Sequence, residues 1–296
     1  VIRPKYPVYV ISKGRHDCCL TANFMVKDGM DFNVVVEPQE AQQYIDRYGS
    51  NRVHVLPFSN LGLGSIPARN WCWEHAKAAG HERHWIFDDN IRYIEYRYKG
   101  LRLRCDSNAA LAAAEVFVSR YADLAILGLN YSMFVPDRQK MKPFAVNVHV
   151  YSCLCIDNSI PQRWRGRYNE DTDLCLQVIS AGLNTALLNV FTIKKIKTLT
   201  MKGGNMSTLY QGDGRLKMAK SLERLWPYVV TTERRWERPQ HKVRDEWKTL
   251  KTALKLKPGV TVPPGVDNFG LTLTAVADVQ SERLQKMVAE AQKQRQ

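Results

Sequence analysis

The chain has 296 residues, with 43 Lys and Arg against 29 Asp and Glu, a formal charge of +14. A hydrophobic content of 45% with 10% aromatic residues excludes a mainly disordered chain, and no apolar run reaches the ~20 residues of a membrane span. The charge favours an anionic partner, whether nucleic acid, an acidic surface or a phosphorylated substrate, without choosing among them.

In chain order the first third has an α/β rhythm. A buried strand is expected over residues 6–11, broken by the polar Ser12, Lys13, Gly14 and Arg15. A second, β-branched strand covers 32–36, a helix 40–48 ends at Gly49, and a short strand covers 53–56. After the Gly62 and Gly64 loop, Pro67 can start a helix running to Ala79, with Gly80 as its stop. A fourth strand, 84–87, ends abruptly at Asp88, Asp89 and Asn90. The Ala-rich stretch 108–121 reads as a helix, 125–129 and 145–156 as strands, 171–180 as a helix and 185–191 as a strand. Strands alternating with helices predict an α/β fold with a mostly parallel central sheet flanked by helices, and a ligand crevice at the strands' carboxyl ends. From about Lys194 the composition turns Gly-, Lys- and Arg-rich, with helical periodicity over 221–226, 245–256 and 281–296. The expected division is a body over residues 1–195 and a basic, largely helical C-terminal extension over 196–296.

Seven cysteines occur without a CxxC pair, so a zinc ribbon or thioredoxin-like site lacks its spacing. Cys153, Cys155 and Cys175 read as small buried hydrophobes. Reduced thiols are the expected state, and the cytoplasm the expected location.

Two acidic clusters carry the chemistry. Asp88, Asp89 and Asn90 emerge from a buried strand, where they can reach a cation held against phosphate oxygens, though Asp and Asn also suit a plain turn. Asn169, Glu170, Asp171, Thr172 and Asp173 open a helix. Acidic residues there complement the helix dipole, and a carboxylate beside a crevice can also deprotonate a hydroxyl. Glu170 and Asp171 compete for that role, and position does not choose. Lys13, Arg15, Arg69 and Asn70 supply cationic and amide groups near a helix start, a reasonable diphosphate patch. The glycine spacing matches neither a Rossmann fingerprint nor a Walker motif.

Taken in order, VYVISKGR, PARN, WIFDDNI and RYNEDTDLCL resemble a GT-A-type glycosyltransferase. More narrowly, they resemble the phage and bacterial DNA-base glycosyltransferases associated with TET/JBP-type oxygenases, which make 5-hydroxymethylpyrimidines. The resemblance covers roughly residues 6–195. It implies a GT-A-like fold and a nucleotide-sugar donor, taken as a UDP-sugar, bridged by Mn2+ or Mg2+. Asp88 falls towards the nucleotide, and Asp89 and Asn90 towards the metal, with Asn where the family's motif has Asp. Arg15, Arg69 and Asn70 fall on nucleotide contacts, Lys13 and Lys202 beside them, and His241 is the candidate C-terminal metal ligand, with an exposed nucleic-acid contact as the alternative in its Arg- and Lys-rich setting. Asp171, with Glu170 beside it, falls on the base of inverting members. The implied acceptor is double-stranded DNA carrying a 5-hydroxymethylated base, chiefly 5-hydroxymethylcytosine.

Arg163, Arg165 and Arg167 flank Trp164 near the second acidic cluster, and Lys251 and Lys255 continue a basic C-terminal run. Phosphate contacts plus aromatic surfaces are what DNA binding uses, and Trp164, Tyr168 or Tyr131 could stack on a flipped base or be ordinary packed aromatics. The competing readings are a GT-A enzyme with a non-DNA acceptor, a metal-dependent nuclease or nucleotidyltransferase, and a non-catalytic DNA-binding protein.

Overall fold

The computed structural model describes residues 2–98, 101–136, 141–196, 203–204, 214–235, 237–244 and 252–262. The first half alternates strands and helices: β1 (Val8–Ile11), α1 (Leu20–Lys27), β2 (Asn33–Val36), α2 (Ala41–Tyr48), β3 (Val53–Val55), α3 (Ile66–Ala78) and β4 (Arg83–Asp88). A hairpin of β5 (Ile91–Tyr98) and β6 (Leu101–Arg104) precedes α4 (Ser107–Ser119). Then come β7 (Leu124–Tyr131), β8 (Phe144–Val146), β9 (Cys153–Asp157), α5 (Glu170–Ser180) and β10 (Asn184–Lys195). Beyond residue 196 the described elements are α6 (Gly214–Leu225), β11 (Val230–Arg235) and β12 (Arg238–Val243).

One sheet organises the body, in the order β3-β2-β1-β4-β9-β7-β10-β5-β6, with β8 on β10. β3, β2, β1 and β4 run parallel, as do β7 and β10, but β9 is antiparallel to both its neighbours and β5, β6 and β8 also pair antiparallel. The sheet is therefore mixed rather than mostly parallel. An apolar run such as CLCID registers burial on both faces and carries no strand direction. The expected long strand 145–156 is two strands, separated by a loop in which Asn147 and Ser152 take positive φ. Neither α1, the β5–β6 hairpin nor the β11–β12 hairpin was expected, and the described C-terminal residues are a helix and a hairpin rather than largely helical. Residues 252–255 form no helix, Leu256 bridges Tyr121, and the expected helix 281–296 lies outside the described residues.

Alternation along the strands divides the core in two. Val8 and Val10 pack with Phe24, Tyr44, Trp85, Ala110 and Phe117 on the α1, α2 and α4 side, while Tyr9 and Ile11 pack with Trp73, Ile86, Leu174 and Val178 on the α3 and α5 side. Each fully buried side chain of this size contributes roughly 1.5–3 kcal/mol, which is why the continuous apolar runs set the layers. Gly128 on β7 is required by close approach, since a Cβ there would lie 2.1 Å from the Val150 side chain and 2.5 Å from the Cys153 carbonyl. Leu222, Val230 and Val243 form a small third cluster against Leu176 of α5. Cys153, Cys155 and Cys175 are buried and all seven cysteines are free thiols. Among the described residues no helix is long and apolar enough to cross a membrane.

These pairings send the carboxyl ends of β1, β4, β7 and β10, and the amino ends of β5 and β9, to one edge of the sheet. Ser12, Asp88, Tyr131, Ser152 and Lys195 therefore meet there although they are far apart in the chain.

Candidate active site

That edge holds a cavity of about 330 Å3. One end is walled by Ile11, Val35, Leu56 and Glu37, the other by Tyr131, Tyr151 and Ser152, with the acidic clusters between them. Two helix starts close it. Ser65 precedes α3, and its hydroxyl donates to Glu170 Oε1 at 2.8 Å. Asn169 precedes α5 in the left-handed region, at φ 54, a conformation Asn tolerates better than most residues. Its amide donates to the Met218 carbonyl at 2.7 Å. That corner puts both Glu170 and Asp171 on the cavity wall.

Arg69, from the first turn of α3, links the clusters. Its Nη2 donates to Asp88 Oδ1 at 2.8 Å, its Nε lies 3.7 Å from Glu170 Oε1, and its Nη1 lies 3.9 Å from Asp171 Oδ1. The guanidinium is buried and stacks on Trp164, 4.7 Å from the ring centroid. Lys195, the last residue of β10, was absent from the expected site. Its ammonium donates to Asp88 Oδ2 at 2.9 Å and to Ser152 Oγ at 2.6 Å, 5.5 Å from the Tyr131 ring centroid. Ser152 Oγ also donates to Asp88 Oδ2 at 2.6 Å. Asp89 turns the other way, pairing with Arg15 and accepting from Ser12 Oγ at 2.8 Å. The signal that could have found Lys195 is its place at the end of a buried apolar strand, the feature that also marks Asp88.

Asp88 and Asp171 differ electrostatically. Burial opposes ionisation of Asp88, but Lys195 and then Arg69 outweigh it and hold the carboxyl well below the usual range. Burial instead raises Asp171 to about 7; Arg69 pulls the other way, while Glu170 and Asp88 add like charge. Asp171 Oδ2 accepts only the Ser152 backbone N–H, at 3.3 Å, and its Oδ1 has no hydrogen-bond partner among the described residues. Asp171 lines the cavity with its proton affinity raised and its buried Oδ1 beside Arg69, and a carboxyl so placed can exchange a proton.

Lys13 lines the cavity and pairs with Glu37 at 2.6 Å. Arg15 also lines it and donates to the Gly203 carbonyl at 3.1 Å, while Gly204 N–H donates to the Lys13 carbonyl at 2.9 Å. Gly203 is required there, because a Cβ would lie 2.3 Å from the Gly14 carbonyl oxygen. Lys202 and Lys251 lie outside the described residues. Asn70 is turned away from a nucleotide role: its amide exchanges hydrogen bonds with the Trp164 backbone at 2.9 and 3.2 Å.

The expected DNA-contact group separates. Trp164 is 2% exposed, so it packs under Arg69 rather than reaching a base. Arg163 pairs with Glu74 at 2.8 Å and stacks on Trp73. Arg165 pairs with Asp173 at 2.9 Å and stacks on Trp226, tying α5 to the C-terminal elements. Arg167 is exposed at the cavity, over Tyr168. Lys255 is exposed, its backbone N–H donating to Asp123 Oδ1 at 2.9 Å.

The residues do not fit the expected divalent ion. Mn2+ or Mg2+ takes about six oxygen ligands at short range, yet every oxygen of Asp88 and Asp89 already meets a cation or a hydroxyl. Asn90 Oδ1 is buried with no described hydrogen-bond partner, a single neutral oxygen. A second cation within about 4 Å of the Lys195 ammonium would be repelled by several kcal/mol. His241 lies opposite Thr232 on the β11–β12 hairpin and does not line the cavity. Among the described residues no group of three His, Cys, Asp or Glu side chains is placed to hold a metal.

Cations and carboxyls gathered on the wall of one open cavity are the parts of a group-transfer site for a phosphorylated donor. No curated protein sequence matches the chain. A family model described as TET-Associated Glycosyltransferase matches residues 6–204, from the first strand to the glycine pair beside Arg15. The chain belongs to the TET-associated glycosyltransferase family, whose glycosyltransferases act in the 5-hydroxymethylcytosine context of DNA modification.

Proposed function

We propose that the protein transfers a sugar from a nucleotide-sugar donor, a UDP-sugar, to the hydroxyl of a 5-hydroxymethylated base, chiefly 5-hydroxymethylcytosine, in double-stranded DNA. The observation that carries this reading is the gathering of Asp171 and the Asp88–Arg69–Lys195 group on the wall of one cavity, with Arg69 and Ser152 reaching both carboxyls. The nucleoside sits against Ile11, Val35 and Leu56, with Glu37 accepting from its hydroxyls and Lys13 and Arg15 beside the phosphates. Asp171 removes the proton of the acceptor hydroxyl; Glu170, bound to Ser65 and close to Arg69, positions it. The acceptor oxygen bonds to the anomeric carbon as the bond from that carbon to the diphosphate oxygen breaks, and the electron pair leaves with the nucleoside diphosphate. Arg69 and Lys195 stabilise charge that develops on the leaving oxygen only as that bond breaks.

The acceptor enters at the other end. Tyr131 lines the cavity there and stacks on Phe134, 5.6 Å between centroids. Phe134 and its neighbour Met133 are 57% and 72% exposed. Arg97 and Arg102 of the β5–β6 hairpin hold that turn through the carbonyls of Pro136 and Ser132. An exposed apolar pair above a cavity, beside cationic strands, suits a base extruded from a duplex and the gap it leaves. Arg167 and the basic residues of the 196–296 region supply phosphate contacts.

The test is to incubate the protein with hydroxymethylated and unmodified duplex DNA and a panel of nucleotide sugars, and to weigh the released nucleosides. A hexose-sized mass gain confined to the hydroxymethylated base is expected. Folded protein that yields no adduct with any donor overturns the reading, and strand cleavage would favour a nuclease.

A further inference from the structure

The cation that a nucleoside diphosphate requires has a candidate within the chain itself. Lys195 is delivered by an irregularity in β10: Lys194 pairs with Tyr93, but Lys195 pairs with Ile91. Bulges of this kind re-aim a side chain. The Lys195 side chain is 14% exposed yet lines the cavity, so its ammonium is sheltered and still accessible to a ligand. Of its three N–H groups, two are directed to Asp88 and Ser152. The third has no described acceptor.

Its support is built to hold one position. Asp88 fixes the ammonium from the end of β4, Ser152 from the start of β9, and the Tyr131 ring stands behind it. Asp88 is itself held by Arg69, which lies 3.9 Å from Asp171. The ammonium therefore stands beside the strand-end carboxylate where a DxD-type motif would place its metal, and its charge repels a divalent ion from the same oxygens. Ser12 and Arg15 occupy Asp89, so the motif's second carboxylate offers no alternative.

We infer that Lys195, seated on Asp88 and Ser152, contacts the donor's sugar-linked phosphate in place of a divalent cation, so that transfer proceeds without metal. The inference rests on the nucleotide-sugar reading above and deepens it. Asp88 acts through Lys195, as a positioning residue. A lysine presents a compact charge to phosphate oxygens, where arginine presents a fork.

The experiment compares wild-type protein, Lys195→Met and Lys195→Arg, each in EDTA and with added Mn2+. UDP and UMP binding are followed by calorimetry, and initial transfer rate by nucleoside mass. Wild type should bind UDP and turn over in EDTA, with less than about a twofold change on adding Mn2+. Lys195→Met should lower the rate by about 100-fold, the scale of losing one preorganised charge-stabilising donor, and weaken UDP by about tenfold. Its affinity for UMP, which lacks the second phosphate, should stay unchanged. Lys195→Arg should keep metal-independent binding and recover part of the rate, which covers the case in which the methionine variant fails to fold. Wild-type UDP binding or turnover that is lost in EDTA and restored by Mn2+ overturns the inference while leaving the donor reading intact. Equal losses of UMP and UDP, or a wild-type rate in Lys195→Met, overturn it too. Folded wild type that binds UDP under neither condition brings down both the inference and the donor reading.

Discussion

Asp88 and Asp171 share a cavity and an arginine, yet the protein treats their carboxyls in opposite ways. Asp88 closes a strand and meets an ammonium, a guanidinium and a hydroxyl; Asp171 opens a helix and receives one backbone N–H. Burial penalises ionisation at both sites, so the partners decide the outcome. Asp88 is kept as a permanent anion that seats a cation, whereas Asp171 is kept near the affinity at which a carboxylate exchanges protons.

Replacing Asp171 by Asn should separate the roles most strongly. Transfer should fall by about 10³-fold, the scale of general-base loss, while UDP binding is kept; a retained rate would move the base to Glu170. Replacing Asp88 by Asn should act through structure, because Lys195 loses its anion and Arg69 keeps only the more distant Glu170 and Asp171. Urea unfolding should show a loss of roughly 3–5 kcal/mol, and an unchanged midpoint would deny Asp88 its seating role.

The two carboxyls should also part in their pH dependence. Asp171 ionises near 7, so turnover at saturating substrate should drop about tenfold per unit below that value, measured as the logarithm of kcat against pH. Its folded affinity is raised above the ~3.9 of an unfolded Asp. Its stabilising contribution is therefore complete below that value and is lost as pH rises through about 7. Asp171→Asn should accordingly raise Tm relative to wild type at pH 8 and not at pH 4. Asp88 has the reverse sign: its folded affinity is depressed, so its contribution is present above ~3.9 and is lost as pH falls towards the folded value.

Smaller effects belong to the acceptor end. Phe134→Ala should weaken hydroxymethylated duplex by about five- to tenfold, one stacking contact's worth, and leave UDP affinity alone. Lys255→Glu should cost only about two- to threefold in duplex affinity at low salt, as one phosphate contact among several. A larger effect from Lys255 than from Phe134 would move the acceptor surface away from the Tyr131 end.

Much of this architecture was legible from local pattern. Residues 6–11, 32–36 and 84–87 announced β1, β2 and β4 because strands buried on both faces are continuous apolar runs. Asp88, Arg69 and Asp171 could be named because a charged residue beside such a run, or at a helix start, has few places to go except a crevice. The aromatic reading failed at Trp164, since flanking arginines look alike whether they grip phosphate or, as Arg163 and Arg165 do, pair with Glu74 and Asp173. Lys195 was missed for a related reason: one lysine of a basic stretch carries no mark of the aspartate it meets.

Local pattern carried most of the α/β succession, the apolar cores and the acidic residues at element ends, because periodicity and capping act over a few residues. Packing set the antiparallel course of β9 between β4 and β7 and the ion pair of Asp88 with Lys195, 107 positions apart. It also left Asp171 without the partners Asp88 has. Strand direction, charge pairing and proton affinity depend on neighbours through space, which no local stretch of chain specifies. The +14 charge had the same limit: it counted cations, and the fold separated those that face the cavity from those spent on packing.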